Sequence, residues 1–210
     1  YNSLMSIEIK KSIKPVNYLD AIKYLEQRVD DVMKNEAKEL IWILEHPSTF
    51  TAGTSYNNDH ILDKSIDIIK TSRGGKITWH GPGQLIFYFV INLNNKKKDI
   101  RKFINVIERS IITSLKKFEI NSYSDKKNIG IWIKENGLEK KVGAIGIRIK
   151  KWIAYHGFSL NISNEIINYK KIIPCGIKNK DVVTLKEINN QNYNDLPDEI
   201  INNFISNLKI

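Results

Sequence analysis

Five consecutive apolar residues, Leu40-Ile41-Trp42-Ile43-Leu44, set the first constraint on this chain. A run that short fits a β-strand buried on both faces. It is cut off at Glu45-His46-Pro47, where a proline without an amide hydrogen ends the ladder. Such a strand needs cover on two sides. Tyr18, Ile22, Leu25, Val29 and Val32 recur at helical spacing, which predicts an amphipathic helix over about 17–35. Apolar residues at 100, 103, 104, 107, 111, 115 and 118 predict a second, longer helix. Residues 85–93 read as a strand, and 129–134 with 138–149 as a hairpin about Asn136-Gly137. Residues 152–162 read as another strand, 48–56 as a loop, and 66–69 as an apolar lead-in to Arg73. A short helix near 164–171 and a last one from Pro197 complete the chain. With no repeat and no linker, residues 1–210 are expected to form one α+β (mixed α/β) domain, a mixed sheet with helices on its flanks.

Chemistry concentrates in 73–88. Four of the eleven glycines (Gly74, Gly75, Gly81, Gly83) fall there, together with Arg73, Thr78, His80 and Gln84. Glycines let backbone lie against a ligand, and successive amide N–H groups in such turns can hold an anionic or carbonyl oxygen. Arg73 adds a fixed cationic fork, and His80 and Gln84 add donors and acceptors. The structural alternative is a glycine-rich hairpin with Arg73 and His80 on its surface. The loop does not match a P-loop or a dinucleotide fingerprint, so neither ATP nor NAD is indicated.

Thirty-three basic against 23 acidic residues give a net charge of +10. Only Arg28, Arg73, Arg101, Arg109 and Arg148 are arginines, and the lysines are scattered as doublets rather than gathered on one face. That argues against nucleic acid and for acidic partners in general. No apolar run approaches the roughly 20 residues of a membrane span, and with no short apolar core ending in small residues near Tyr1, no secretory signal is expected. One cysteine excludes an internal disulfide and fits a reducing cytosol, so a cytoplasmic setting is expected.

That cysteine, Cys175, stands between Pro174 and Gly176. A lone intracellular cysteine is commonly an inert buried residue, but a turn flanked this way can present the sulfur. Lys141 precedes the small residues Gly143, Ala144 and Gly146, which let another group approach closely. His156-Gly157 and Asn161 lie on the strand before the cysteine. The four histidines lack metal-ligand spacing, and one thiol cannot build a thiolate site, so no metal is expected.

Taken together, these segments resemble the lipoyl(octanoyl) transferases. Arg73-Gly74-Gly75, Thr78, His80, Gly83-Gln84 and Tyr88 fit that family's signature, and His46-Pro47 with Thr51 and Gly53 fits its first loop. Lys141 to Arg148, then His156-Gly157 with Leu160-Asn161, then Pro174-Cys175-Gly176-Ile177 follow in the family's order. One departure is Gly143, where alanine is usual. The resemblance implies a fold like the catalytic domain of biotin and lipoate protein ligases. It implies transfer of octanoyl (or lipoyl) from acyl carrier protein to a lysine of lipoyl domains, the first step of endogenous protein lipoylation. The acceptors it implies are the lipoyl domains of 2-oxoacid dehydrogenase E2 subunits and the glycine cleavage H protein, with no cofactor. It assigns Cys175 as nucleophile, carrying a thioester, and Lys141 as its proton-transfer partner. Arg73, Gly74, Gly75, Thr78, His80, Gly83, Gln84, Ala144, Ile145, Gly146, His156 and Gly157 are implied as substrate-binding.

Other functions stay open on the residues alone. An ATP-dependent lipoate or biotin ligase on the same fold needs no nucleophilic cysteine. Transfer between two protein lysines through a cysteine, and a catalytically inactive scaffold, are the remaining alternatives.

Overall fold

In the computed structural model the apolar run becomes strand β2 (Leu40–Leu44), with every residue buried. The structure describes residues 7–94, 96, 98–173 and 181–208. Strand β1 (Glu8–Lys11) lies parallel to β2 at the sheet edge, and helix α1 (Tyr18–Met33) connects the two. Asn17 starts α1 by accepting hydrogen bonds from the amides of Leu19 and Asp20, which satisfies donors that have no partner within the helix.

Strand β6 (Gln84–Asn92) is buried along all nine of its residues, and β2 pairs with it antiparallel. Beyond it run β7 (Ser122–Ser124), β8 (Ile131–Glu135), β9 (Leu138–Lys150) and β10 (Ile153–Asn161). The sheet order is β1-β2-β6-β10-β9-β8-β7, and a short β11 (Asp181–Val182) pairs parallel with β9. Asn136 and Gly137 both take positive φ at the β8–β9 turn, the geometry a two-residue hairpin requires.

Helices cover both faces. Ala21, Leu25, Val29 and Val32 of α1 pack on Leu40, Trp42, Leu44, Ile86, Tyr88 and Val90. On the other face lie α2 (Ile100–Lys117) and α4 (Leu196–Leu208), preceded by the single turn α3 (Leu185–Ile188). Phe103, Ile107, Ile111 and Phe204 meet Ile41, Ile43, Phe87, Phe89 and Phe158 there. Among the described residues, no helix is long and apolar enough to cross a membrane.

Residues 48–56 and 73–83 are not the continuous loops that the sequence suggests. They contain β3 (Thr49–Ala52) and β5 (Ile77–His80), which pair antiparallel with Thr51 opposite Thr78. With β4 (Ile68–Lys70) they form a separate sheet of order β4-β3-β5. Four-residue strands carry too little alternation to be read locally. Their partners, a couple of dozen residues away, define them.

Candidate active site

Pairing of β3 with β5 sets the position of Arg73. Its Nη2 donates to both the carbonyl and the hydroxyl of Thr51, each at 2.9 Å, and its Nη1 donates to the Gly74 carbonyl at 3.0 Å. These contacts hold the planar fork in one orientation. None of the ion pairs among the described residues involves Arg73. The loop is also docked on β9. The Gly74 amide donates to the Ile147 carbonyl, and a side chain at Gly146 would stand 3.1 Å from the Gly74 carbonyl oxygen.

Below this loop lies a buried group of aromatic and imidazole rings. His46 Nδ1 is 2.7 Å from the Val16 carbonyl, so that nitrogen carries the proton, and Nε2 accepts from the Tyr88 hydroxyl at 2.8 Å. Tyr18 packs edge-on against His46 and stacks near His80. Gln84 Nε2 donates to Asn161 Oδ1 and to the Tyr169 hydroxyl, which in turn donates to the Trp79 carbonyl. His80 Nδ1 lies against Gln84 Oε1. Burial pushes His46 down to about 4 and His80 to about 3, where the neighbouring His46 and Arg73 add to the effect. Both imidazoles are therefore neutral near pH 7.

His156 is the anomaly. Successive side chains on a strand point to opposite faces, yet the rings of Tyr155 and His156 stack at 4.7 Å with planes 21° apart. A φ of +67 at His156 makes this possible. For a residue other than glycine that conformation costs roughly 1–3 kcal/mol and persists only where the surroundings enforce it. The ring is 1% exposed, and neither nitrogen has a hydrogen-bond partner among the described residues. Burial, with Arg73 and Arg148 nearby, pushes its pKa to about 3.

These elements line a half-open cavity of about 60 Å³. Arg73, Gly75, Thr78, His80, Ala144, Ile145, Gly146, His156 and Gly157, all singled out from sequence, line it. Gly74 lies just behind, on Ile147. Gly83 and Gln84 do not line it. Gly83 is a turn residue joined to Glu45 and Ser163, and Gln84 is a buried brace for His80. A second cavity of about 10 Å³ shares Thr78, Ala144 and Ser159 with the first and reaches Lys141. Lys141 is only 7% exposed. Its amine donates to the Ile129 carbonyl at 3.1 Å and lies 5.2 Å from the centre of the Trp132 ring. Among the described residues no Asp or Glu lines either cavity.

Cys175 lies outside the described residues. On one side of its segment the Ile173 amide is bonded to the His60 carbonyl. On the other, Asp181 and Val182 pair with Lys140 and Lys141. Sequence reasoning did not single out Tyr169 or Ser159 as site residues. Tyr169 braces Gln84 from a 3₁₀ turn (Ile166–Lys171), and only the tertiary fold brings it there.

Comparison with known proteins bears on this arrangement. Residues 17–207 match the family model of the lipoyl protein ligase A/B catalytic domain. The octanoyltransferase of Wolbachia sp. subsp. Brugia malayi (strain TRS) is 44% identical over 174 residues, 82% of this chain and 85% of that protein. The octanoyltransferase of Ehrlichia canis (strain Jake) is 41% identical over 184 residues, 87% of this chain and 86% of that one. Among solved structures, lipoate-protein ligase A bound with ATP superimposes with a TM-score of 0.73 over 97% of this chain and 85% of that chain. At 14% identity that last likeness is one of fold.

Proposed function

The chain belongs to the lipoyl protein ligase A/B catalytic domain family and is an octanoyltransferase, and on that premise we propose a route for the acyl group. Residues 1–210 act as a single catalytic domain that takes octanoyl (or lipoyl) from acyl carrier protein and passes it to the target lysine of a lipoyl domain through a thioester on Cys175. The acceptors are lipoyl domains of 2-oxoacid dehydrogenase E2 subunits and the glycine cleavage H protein. A cytoplasmic setting belongs to the same proposal, because a lone thiol stays reduced in a reducing compartment.

The thiolate of Cys175 attacks the donor thioester carbonyl. A new C–S bond forms, the bond to the carrier's thiol breaks, and that thiol leaves with a proton supplied by Lys141. In the second half the acceptor lysine amine, deprotonated by Lys141, attacks the Cys175 thioester. An amide forms and the Cys175 sulfur departs. Arg73, Gly75, Thr78, His80, Ala144, Gly146 and His156 wall the channel that receives the acyl chain.

The observation that carries this reading is the placement of the Lys141 amine. It is buried, oriented by Ile129 and Trp132, and opens on a small cavity whose walls continue into the larger one. Incubation with octanoyl–acyl carrier protein and no ATP, followed by intact mass spectrometry, tests it. One octanoyl group on the protein, absent in Cys175→Ser, is expected. Modification of lipoyl domains that persists in Cys175→Ser and depends on ATP would overturn it in favour of a ligase.

A further inference from the structure

Lys141 faces the site because β9 breaks its own alternation. Ile145, Ile147 and Ile149 pack toward the layer of α2 and α4. Successive side chains on a strand point to opposite faces, so an unbroken β9 would send Lys141 into that layer as well. Val142 is buried there instead. The pairing with β8 gives the reason. Trp132 is opposite Lys141 and Ile131 is opposite Gly143, so Val142 has no counterpart and forms a bulge. One extra residue inverts the order of faces, and Lys141 comes to share the second cavity with Ala144.

Gly130, which the sequence reading did not single out, makes room for the redirected side chain. A Cβ there would stand 2.5 Å from Lys141 Cε, 3.0 Å from its Nζ and 2.7 Å from the Gly143 carbonyl oxygen. Its φ of +147 is one that glycine takes freely. Its neighbours in sequence hold the amine. The Ile129 carbonyl accepts from it, and the Trp132 ring beside it is fixed by an Nε1 bond to the Asn128 carbonyl at 2.8 Å.

We propose that Gly130 is a positioning residue for acyl transfer, acting through Lys141. The bulge at Val142 chooses the face, and the missing side chain at 130 sets how far the amine advances toward the Ile129 carbonyl. This rests on the reading that Lys141 moves the protons of the reaction. With alanine at 130, Cε must retreat by about 1 Å to reach ordinary contact. A displacement of that size at a reacting group can lower a rate about 100-fold.

The test is a double-variant cycle on transfer of octanoyl from acyl carrier protein to a lipoyl domain, read by mass in a single turnover. Gly130→Ala alone should lose about 100-fold. In a Lys141→Ala background it should change the rate by less than about twofold, because the group it acts through is gone. The drop in denaturant midpoint that Gly130→Ala causes should also shrink in that background, where Cε and Nζ no longer stand in the way. A general structural role would lower the rate by the same factor in both backgrounds, and that result overturns the proposal. So does a folded Gly130→Ala with an undiminished rate. If Gly130→Ala does not fold, a folded Gly130→Ala/Lys141→Ala protein supports the proposal. Failure of both to fold overturns it, since the glycine then serves the Gly143 carbonyl and not the lysine. Undiminished transfer by Lys141→Ala itself overturns the role of the lysine, and the positioning role with it.

Discussion

His80 gives its Nδ1 proton to Gln84 Oε1 across 2.7 Å, and the direction of that bond is fixed from outside the pair. The Tyr169 hydroxyl donates to the Trp79 carbonyl and so accepts from Gln84 Nε2, which leaves Oε1 facing the imidazole. The neutral ring therefore keeps its lone pair on Nε2.

Replacing Gln84 with glutamate puts a carboxylate against that Nδ1 proton. The cationic form of His80 is then favoured, and its pKa should climb from about 3 by roughly one to three units. Nitrogen-detected NMR titration of the histidines reads the shift. The same spectra check the tautomer, and a proton on Nε2 of His80 in the unaltered protein would contradict the assignment.

Three buried imidazoles make folding sensitive to acid. His46 is held at about 4, and His80 and His156 at about 3. In the unfolded chain each titrates near 6.5. Below that value the unfolded state takes up protons that the folded state refuses, so the contribution is complete above pH 6.5 and declines as pH falls toward 4. Each histidine gives a slope of at most about 1.4 kcal/mol per pH unit. Urea unfolding at pH 7, 6 and 5 should show the decline. His156→Asn should flatten it by about the share of one histidine.

Lys141→Met preserves the length of the side chain while removing the amine. Acyl transfer should fall by about 10²- to 10⁴-fold, the usual loss of a proton-transfer group. The denaturant midpoint should change little, since the stem still packs against Trp132. A transfer rate within twofold of the unaltered protein (a margin of roughly 0.4 kcal/mol) would remove Lys141 from the mechanism.

Gly157 permits the close approach of β10 to β6. An added Cβ would stand 1.9 Å from the Phe87 carbonyl oxygen, which is backbone inside a buried ladder and cannot step aside. Gly157→Ala should destabilise the protein by more than about 3 kcal/mol. Thermal unfolding measures it, and a shift of only a degree or two would show that the strands can part locally.

Much of the fold could be read from local pattern. The run at 40–44, the helical spacing of α1 and α2, and Asn136-Gly137 each carry their signal within a few residues, and each element is where that signal put it. Strands β1, β3, β4, β5, β7 and β11 were missed for one reason. They are two to four residues long, too short to show alternation, and each is defined by the strand it pairs with. At the site, the clustering of glycines around Arg73 pointed to the segment that lines the cavity, and the family resemblance named Ala144, Gly146 and His156 as substrate-binding, which also line it. Neither could show that Thr51 clamps the guanidinium, that Tyr169 orients Gln84, or that His156 turns onto the face of Tyr155. Those relations arise only when strands far apart in sequence come together.

Strand β6 sends Leu85, Phe87, Phe89 and Ile91 to one layer and Ile86, Tyr88 and Val90 to the other. A slip of one position against its neighbours would drop the Tyr88 phenol among the hydrocarbon rings of α2 and α4, and would bring Phe87 to His46, which would then have nothing to accept from. The same hydroxyl that helps shape the pocket therefore acts as a proofreader of strand alignment. A chain that assembles its site correctly has already rejected its nearest misfolded rival.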